Sequence, residues 1–313
     1  MTPLAGAHPD YSHGLLLHST DDGLVEGTQA FVAEGLESGG QVLVHGTRDR
    51  VALMRRALGD APRLEYGFDE ELYLEPSRTL FSYQRRLAEL PETTELWVTG
   101  TVPLGRDHAA QGAWNRYESS VDEALAAYPF RALCTYDTRT TPAPVIEAVR
   151  ATHASFGAGP TSRPNGEYVD PAAFLASPLA RVPTLPTWRP SATATIDDLN
   201  DLTPARHLLL AAARDASAVS SDTVEQFLMA VHEVAANGLV HGAPPVSVTL
   251  WADVALLTCR VEDCGPGDLD PLTGLRHPGE RQPMGLWVAR QLVDDLFITN
   301  GPSGGCSIVL TAM

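Results

Sequence analysis

Seven prolines fall between Gly157 and Pro190, at positions 160, 164, 171, 178, 183, 186 and 190, and each withholds an amide hydrogen and fixes φ. No helix or interior strand of ordinary length survives that spacing. The stretch divides the chain, so whatever layers form on either side must close separately. We read residues 1–156 as one domain, 157–190 as a proline-rich linker and 191–313 as a second domain. Tyr168, Phe174 and Trp188 are poor choices for a solvated tether, so part of the linker is expected to pack as an extension of the first domain.

Before the break, apolar runs at 15–17, 42–44, 96–98 and 132–134 alternate with amphipathic segments at about 22–37, 48–58, 77–90, 109–128 and 144–153. Repeated strand–helix alternation predicts an α/β fold with a doubly wound, mostly parallel sheet. After the break come helices at about 204–218 and 222–241, strands at 246–251 and 255–262, and a glycine-rich loop. A helix at 285–292 and strands at 296–299 and 307–310 follow. Strands joined by short turns behind two leading helices predict an α+β sandwich with one helical layer.

Charge narrows the chemistry. The 313 residues hold 39 acids against 22 basic residues, a net charge of −17, and every basic residue is arginine. Without lysine there is no P-loop lysine, no lysine Schiff base and no lysine general base. The acidic balance, shared by both halves, argues against direct contact with nucleic acid or an anionic membrane. Cys134, Cys259, Cys264 and Cys306 show no C-x-x-C and no nearby histidine at zinc-site spacing, and read as small hydrophobes. No basic leader precedes an apolar core and no membrane-length apolar run occurs, so a cytoplasmic location is expected.

The richest chemistry lies in 227–242. At about 100° per residue, Val224, Phe227, Leu228, Val231, Ala235 and Leu239 make one apolar stripe, with Glu233 and Asn237 stacked roughly opposite. Glu233 can orient or deprotonate a hydroxyl, and the Asn237 oxygen can hold magnesium. On its own, such a pair is more often a solvated polar face. Asp263 then ends an apolar strand, with Gly265 and Gly267 behind it. A carboxylate there can accept from an adenine amino group, although D-x-G-x-G alone is also an ordinary turn. Gly285 and Leu286 open a helix whose amides can face phosphates, and Gly304 and Gly305 precede the last strand.

Taken in order, these four segments resemble the GHKL family, the Bergerat ATP-binding fold of gyrase, heat-shock chaperone, histidine kinase and mismatch-repair ATPases. The likeness covers about 194–313. Within it, Glu233, Asn237, His241 and Gly242 follow the pattern of the anti-sigma-factor serine kinases. The resemblance implies ATP and magnesium (Mg) as cofactors. It makes Glu233 the catalytic base, Asn237 the magnesium ligand and Asp263 the adenine reader. Gly265, Gly267, Gly285 and Leu286 become nucleotide loops, and Ser307 the hydroxyl near adenine. One departure is Pro283, which stands where the family's second glycine loop has glycine and removes a phosphate donor. Arg276, His277 and Arg281 in that lid are candidate compensating charges.

The first domain resembles the MEDS sensory module, thought to be RecA-like, through residues 13–18, 31–36 with Gly40, 114–118 and 133–138, and on through 163–165 and 168–171. Where a RecA-like loop would cradle phosphate, Asp21 and Asp22 instead meet a helix N-terminus and would repel it, so this half is not expected to be an ATPase. His18, His45, Gly100, Tyr136 and Asp137 fall at strand C-termini, where doubly wound sheets bind ligands, and are candidates for a small-molecule signal pocket.

The sequence thus reads as a sensor controlling an anti-sigma-type serine/threonine kinase. Expected partners are a sigma factor, an anti-sigma-factor antagonist protein and a second copy of the chain in a homodimer. The alternatives are a pseudokinase adaptor that holds its partner without phosphotransfer and an atypical histidine kinase-like protein.

Overall fold

Thr20 starts the first helix because its hydroxyl accepts from the Gly23 amide at 3.0 Å while its own backbone is extended. Asp21 and Asp22 then complement the helix dipole. Gly39 turns the chain out at φ 88°, a left-handed conformation that favours glycine. Thr47 caps the next helix in the same way. The computed structural model describes residues 7–105, 107–157, 162–181, 183–267, 269–277, 284–300 and 304–313.

Two compact units divide the chain, the first ending at Arg181. Its order is β1 (Ser12–His18), α1 (Asp21–Glu37), β2 (Gln41–Gly46), α2 (Arg48–Leu58), β3 (Leu64–Phe68), α3 (Asp69–Leu72), α4 (Pro76–Glu89), β4 (Leu96–Gly100), α5 (His108–Leu125), β5 (Phe130–Asp137), α6 (Ala143–Thr152), β6 (Ser155–Phe156), β7 (Arg163–Pro164) and α7 (Pro171–Leu175). The seven-stranded sheet runs β3-β2-β4-β5-β1-β6-β7, parallel except for the β6–β7 pair. Leu24, Phe31 and Val32 of α1 and Met54 of α2 pack on Val42, Val44, Trp97 and Leu133 on one face. Helices α4, α5, α6 and α7 pack together away from that cluster. β3 alternates Leu64, Tyr66 and Phe68 with Glu65 and Gly67 and is at most half-buried, so a search for continuous apolar runs passes over it.

Most of the proline-rich stretch packs into this first unit. Phe174 and Ala180 are fully buried. Asn115 donates to the Leu179 carbonyl at 2.9 Å, Arg116 to the Ala180 carbonyl at 2.8 Å, and the Tyr168 hydroxyl to Asp122 at 2.8 Å. Further on, Trp188 and Ser191 belong to the second unit: the Trp188 carbonyl accepts from the Trp251 indole at 3.1 Å, and the Ser191 amide donates to Leu250 at 2.8 Å.

The second unit contains β8 (Ala192–Ile196), α8 (Leu202–Ala216), α9 (Ser221–His241), β9 (Val246–Ala252), β10 (Leu257–Glu262), α10 (Gly285–Leu292), β11 (Asp295–Asn300) and β12 (Cys306–Ala312). Its antiparallel five-stranded sheet runs β11-β12-β10-β9-β8. Val248, Leu250, Cys259, Val261, Ile308 and Leu310 alternate inward against Phe227, Val231 and Val234 of α9, Leu209 of α8 and Ala289 of α10. β8 is an extra edge strand of alternating Ala and Thr, too weakly apolar to announce itself. The chain is therefore an α/β protein with a parallel-rich sheet followed by an α+β sandwich. No described helix is long and apolar enough to cross a membrane.

Candidate functional site

In the second unit, the stripe residues Val224, Phe227, Leu228, Val231 and Ala235 are buried in the core, while Leu239 is half-buried against it. This leaves Glu233 and Asn237 half-buried beside the start of α10. A β-carbon on Gly285 would lie 2.8 Å from Asn237 Nδ2 and 3.1 Å from Glu233 Oε2. Met284 gives the start of this helix no side-chain cap, and the first turn's amides lie outside the intrahelical ladder. A carboxylate, a carboxamide and the positive end of a helix thus converge on one spot. That combination suits a phosphate group with its divalent counter-ion.

Asp263 is fixed at the other end of the site. Its Oδ1 accepts from the Gly265 amide at 2.8 Å and the Cys306 amide at 3.4 Å, leaving Oδ2 to accept from a ligand. Glycines crowd it on several sides. A β-carbon would fall 2.5 Å from Asp263 Cγ at Gly242, 2.9 Å from Oδ1 at Gly265 and 2.2 Å from the Asp263 carbonyl at Gly305. Gly267 adopts φ 71° and lies within 2.5 Å, by the same measure, of the Gly305 carbonyl. The residues present therefore fit a planar amino-bearing ring approaching Asp263 over bare backbone.

Arg290, buried at 6% exposure, ties the turn at 271–273 to β11. It donates to the carbonyls of Pro271 at 2.8 Å, Thr273 at 2.8 Å and Leu296 at 3.0 Å. Burial pulls its pKa down to about 10, so the guanidinium stays charged at neutral pH. Leu286 also packs under this loop, its backbone within 2.8 Å of a β-carbon position on Gly274.

Ser307 requires correction. Cys306, Ile308 and Leu310 of β12 face the helices, so alternation turns Ser307 to the opposite face of the sheet. The β12 residue beside Asp263 is Cys306, whose thiol is pushed up to about 12 by burial and then by that carboxylate. His277 packs edge-on against Trp287 at 4.7 Å, and Arg276 is engaged in its own contacts. Arg281 and Pro283 lie outside the described residues.

The five strand-end residues of the first unit do not line one pocket, because alternation sorts them to opposite faces of the sheet. His18 and Asp137 pair across β1 and β5 on the α1 side. Asp137 is held down at about 2 by its hydrogen bonds from Arg139, which also reaches Asp21 at 2.8 Å. His18 sits 3.2 Å from the Thr20 carbonyl, its pKa lowered by burial and then by Arg50. On the other face, Gly100 gives His45 its space, since a β-carbon there would be 2.3 Å from the imidazole. His45 in turn bonds Asp69 at 2.9 Å and the Tyr73 hydroxyl at 3.1 Å. Tyr136 donates to the buried Glu118.

His45 and Gly100 do line a cavity of about 20 Å³, together with Tyr73, Tyr117, His13 and Cys134. That volume holds about one water-sized group. The reading of Cys134 as a plain hydrophobe also needs correction. It sits 3.5 Å from His13 Nε2 and 3.9 Å from Glu118, residues 121 and 16 positions away. Linear spacing cannot show a cluster that only the β1–β5 pairing and α5 assemble.

Residues 12–154 match the MEDS model (methanogen/methylotroph, DcmR sensory domain), and residues 196–311 match the histidine kinase-like ATPase domain. The anti-sigma F factor of Bacillus velezensis is 32% identical over 101 residues, 29% of this chain and 69% of that protein. That of Bacillus subtilis is 31% identical over the same length and coverage. Among solved structures, the histidine kinase domain of the E. coli osmosensor EnvZ aligns at 18% identity over 41% of this chain and 91% of its own, with a TM-score of 0.23.

Proposed function

The chain belongs, through its second unit, to the anti-sigma F factor family, and from that membership we propose a signal-responsive regulator whose second unit binds MgATP and phosphorylates a serine or threonine of an antagonist protein. The convergence of Glu233, Asn237 and the uncapped start of α10 on Gly285 carries this reading. Bound ATP supplies the phosphoryl group. Asn237 offers its oxygen to magnesium, the amides of Gly285 and Leu286 face the phosphates, and Asp263 Oδ2 accepts from the adenine amino group. Glu233 takes the proton of the incoming hydroxyl, a role that a site merely holding ATP does not require.

In this reading the antagonist and a sigma factor exchange on the second unit as phosphorylation changes the antagonist's charge. The MEDS domain sets the activity in response to a signal. Control of transcription is indirect, because with a net charge of −17 the chain offers little to a phosphate backbone.

A second reading, a pseudokinase that uses ATP to hold a partner, is favoured by Pro283, which removes one amide from the phosphate loop. Phosphate transfer from labelled ATP to a protein that co-purifies with the chain separates the two. Loss of labelling in Glu233→Ala supports the kinase. Equal labelling by wild type and Glu233→Ala removes the catalytic assignment, and no labelling by wild type favours the pseudokinase.

A further inference from the structure

We propose that His13, Glu118, Cys134 and His153 form a binding site for one zinc-class divalent cation inside the first unit. The four residues come from β1, α5, β5 and the turn after α6, and one ligand atom from each lies within 4.8 Å of the others. His13 Nε2 is 3.4 Å from Glu118 Oε2 and 3.5 Å from Cys134 Sγ. Glu118 Oε2 is in turn 3.9 Å from that sulfur and 3.7 Å from His153 Nε2. Zinc bonds of about 2.0–2.3 Å at tetrahedral angles place neighbouring ligand atoms about 3.3–3.8 Å apart. The four measured separations are close to the edges of such a tetrahedron. A set of thiolate, two imidazoles and one carboxylate is matched to zinc rather than to magnesium or calcium.

The second layer of contacts aims these atoms inward. His13 Nδ1 faces Asp122 Oδ1 at 3.2 Å, and His153 Nδ1 faces the Val149 carbonyl at 2.7 Å. Each acceptor takes the Nδ1 hydrogen bond and leaves Nε2 as the nitrogen that faces the cluster and binds once deprotonated, the arrangement that metal-bound histidines use. His153 Nε2 is fully buried and has no hydrogen-bond partner, an orphan a cation would satisfy. The Tyr136 hydroxyl occupies Glu118 Oε1 and leaves Oε2 for the ion. Asp122 is itself held by Tyr11 at 2.6 Å and Tyr168 at 2.8 Å. Charge closes as well: one thiolate and one carboxylate neutralise a dication, and both the Cys134 thiol proton and the His13 imidazolium proton leave to solvent on binding.

The experiment uses the full chain, stripped with chelator and titrated with Co²⁺ and then Zn²⁺. The expected result is about one Co²⁺ per chain, with a thiolate-to-cobalt charge-transfer band that Zn²⁺ displaces. Cys134→Ser should abolish the band and weaken Zn²⁺ at least about a hundredfold. Asp122→Asn should keep the band and weaken Zn²⁺ about 10–100-fold, and Cys264→Ser should change neither. If Cys134→Ser does not fold, X-ray absorption of the zinc-loaded wild type decides, with one sulfur and three nitrogen or oxygen neighbours expected. No uptake by wild type, a band that survives Cys134→Ser, or a zinc shell without sulfur overturns the proposal.

Discussion

Gly285 lies so close against Asn237 that a β-carbon on it would stand 2.8 Å from the carboxamide nitrogen. The atoms it would meet, on Asn237 and Glu233, are the free ends of flexible side chains, so the fold can absorb a methyl group by displacing the groups that the proposed function assigns to magnesium and catalysis. Gly285→Ala is expected to leave the melting temperature about unchanged, since the interior preference of alanine over glycine, about 1 kcal/mol, is felt only in part at the first residue of a helix. MgATP affinity should fall at least about tenfold. Calorimetric titration beside a thermal melt checks both halves.

Gly305→Ala should do the reverse. Here the β-carbon would press 2.2 Å from the Asp263 backbone carbonyl at φ 83°, where neither partner can rotate away. A left-handed conformation alone costs a non-glycine residue about 1–2 kcal/mol, before the clash. Urea denaturation should show a loss of at least about 2 kcal/mol in the second unit's transition.

Arg290→Met removes the one donor group shared by Pro271, Thr273 and Leu296. A buried carbonyl left unpaired costs about 1–3 kcal/mol, and water reaching the loop will recover part of that. Stability of the second unit should fall by about 3 kcal/mol, and protease cleavage within 270–275 should appear before global unfolding.

Where the first domain ends is also testable. A fragment ending at Arg181 keeps Phe174, Ala180 and the Tyr168–Asp122 bond, and should unfold cooperatively on heating. One ending at Gly157 exposes the surface they cover and leaves Asp122 short of a donor. It should be aggregated or non-cooperative by circular dichroism and calorimetry.

The helix-forming and strand-forming periods are legible: α1, α2, α9 and α10 announce themselves by apolar spacing, whereas the caps at Thr20 and Thr47 emerge only in the structure. The placement of Glu233 and Asn237 on one helix face and of Asp263 at a strand end is legible because spacing within one element fixes it locally. Ser307 was misplaced by a single position, and in a strand one position reverses the face. β3 and β8 are less legible because each alternates apolar with small or polar residues over only five positions, and pairing with β2 and β9 supplies the rest. The His13–Glu118–Cys134–His153 cluster leaves no linear signature, since its members meet only through sheet order and helix packing.

Titration of the full chain with MgATP, wild type beside Asp263→Asn, tests the nucleotide site most directly. In the variant the carboxamide oxygen can still accept from Gly265 and Cys306, so the loop keeps its shape, while the amino group turns a donor toward the adenine donor. Wild type should bind MgATP, and Asp263→Asn at least about tenfold more weakly, a difference of about 1.4 kcal/mol or more. Equal affinity in the two proteins, or no binding by wild type, would contradict the account.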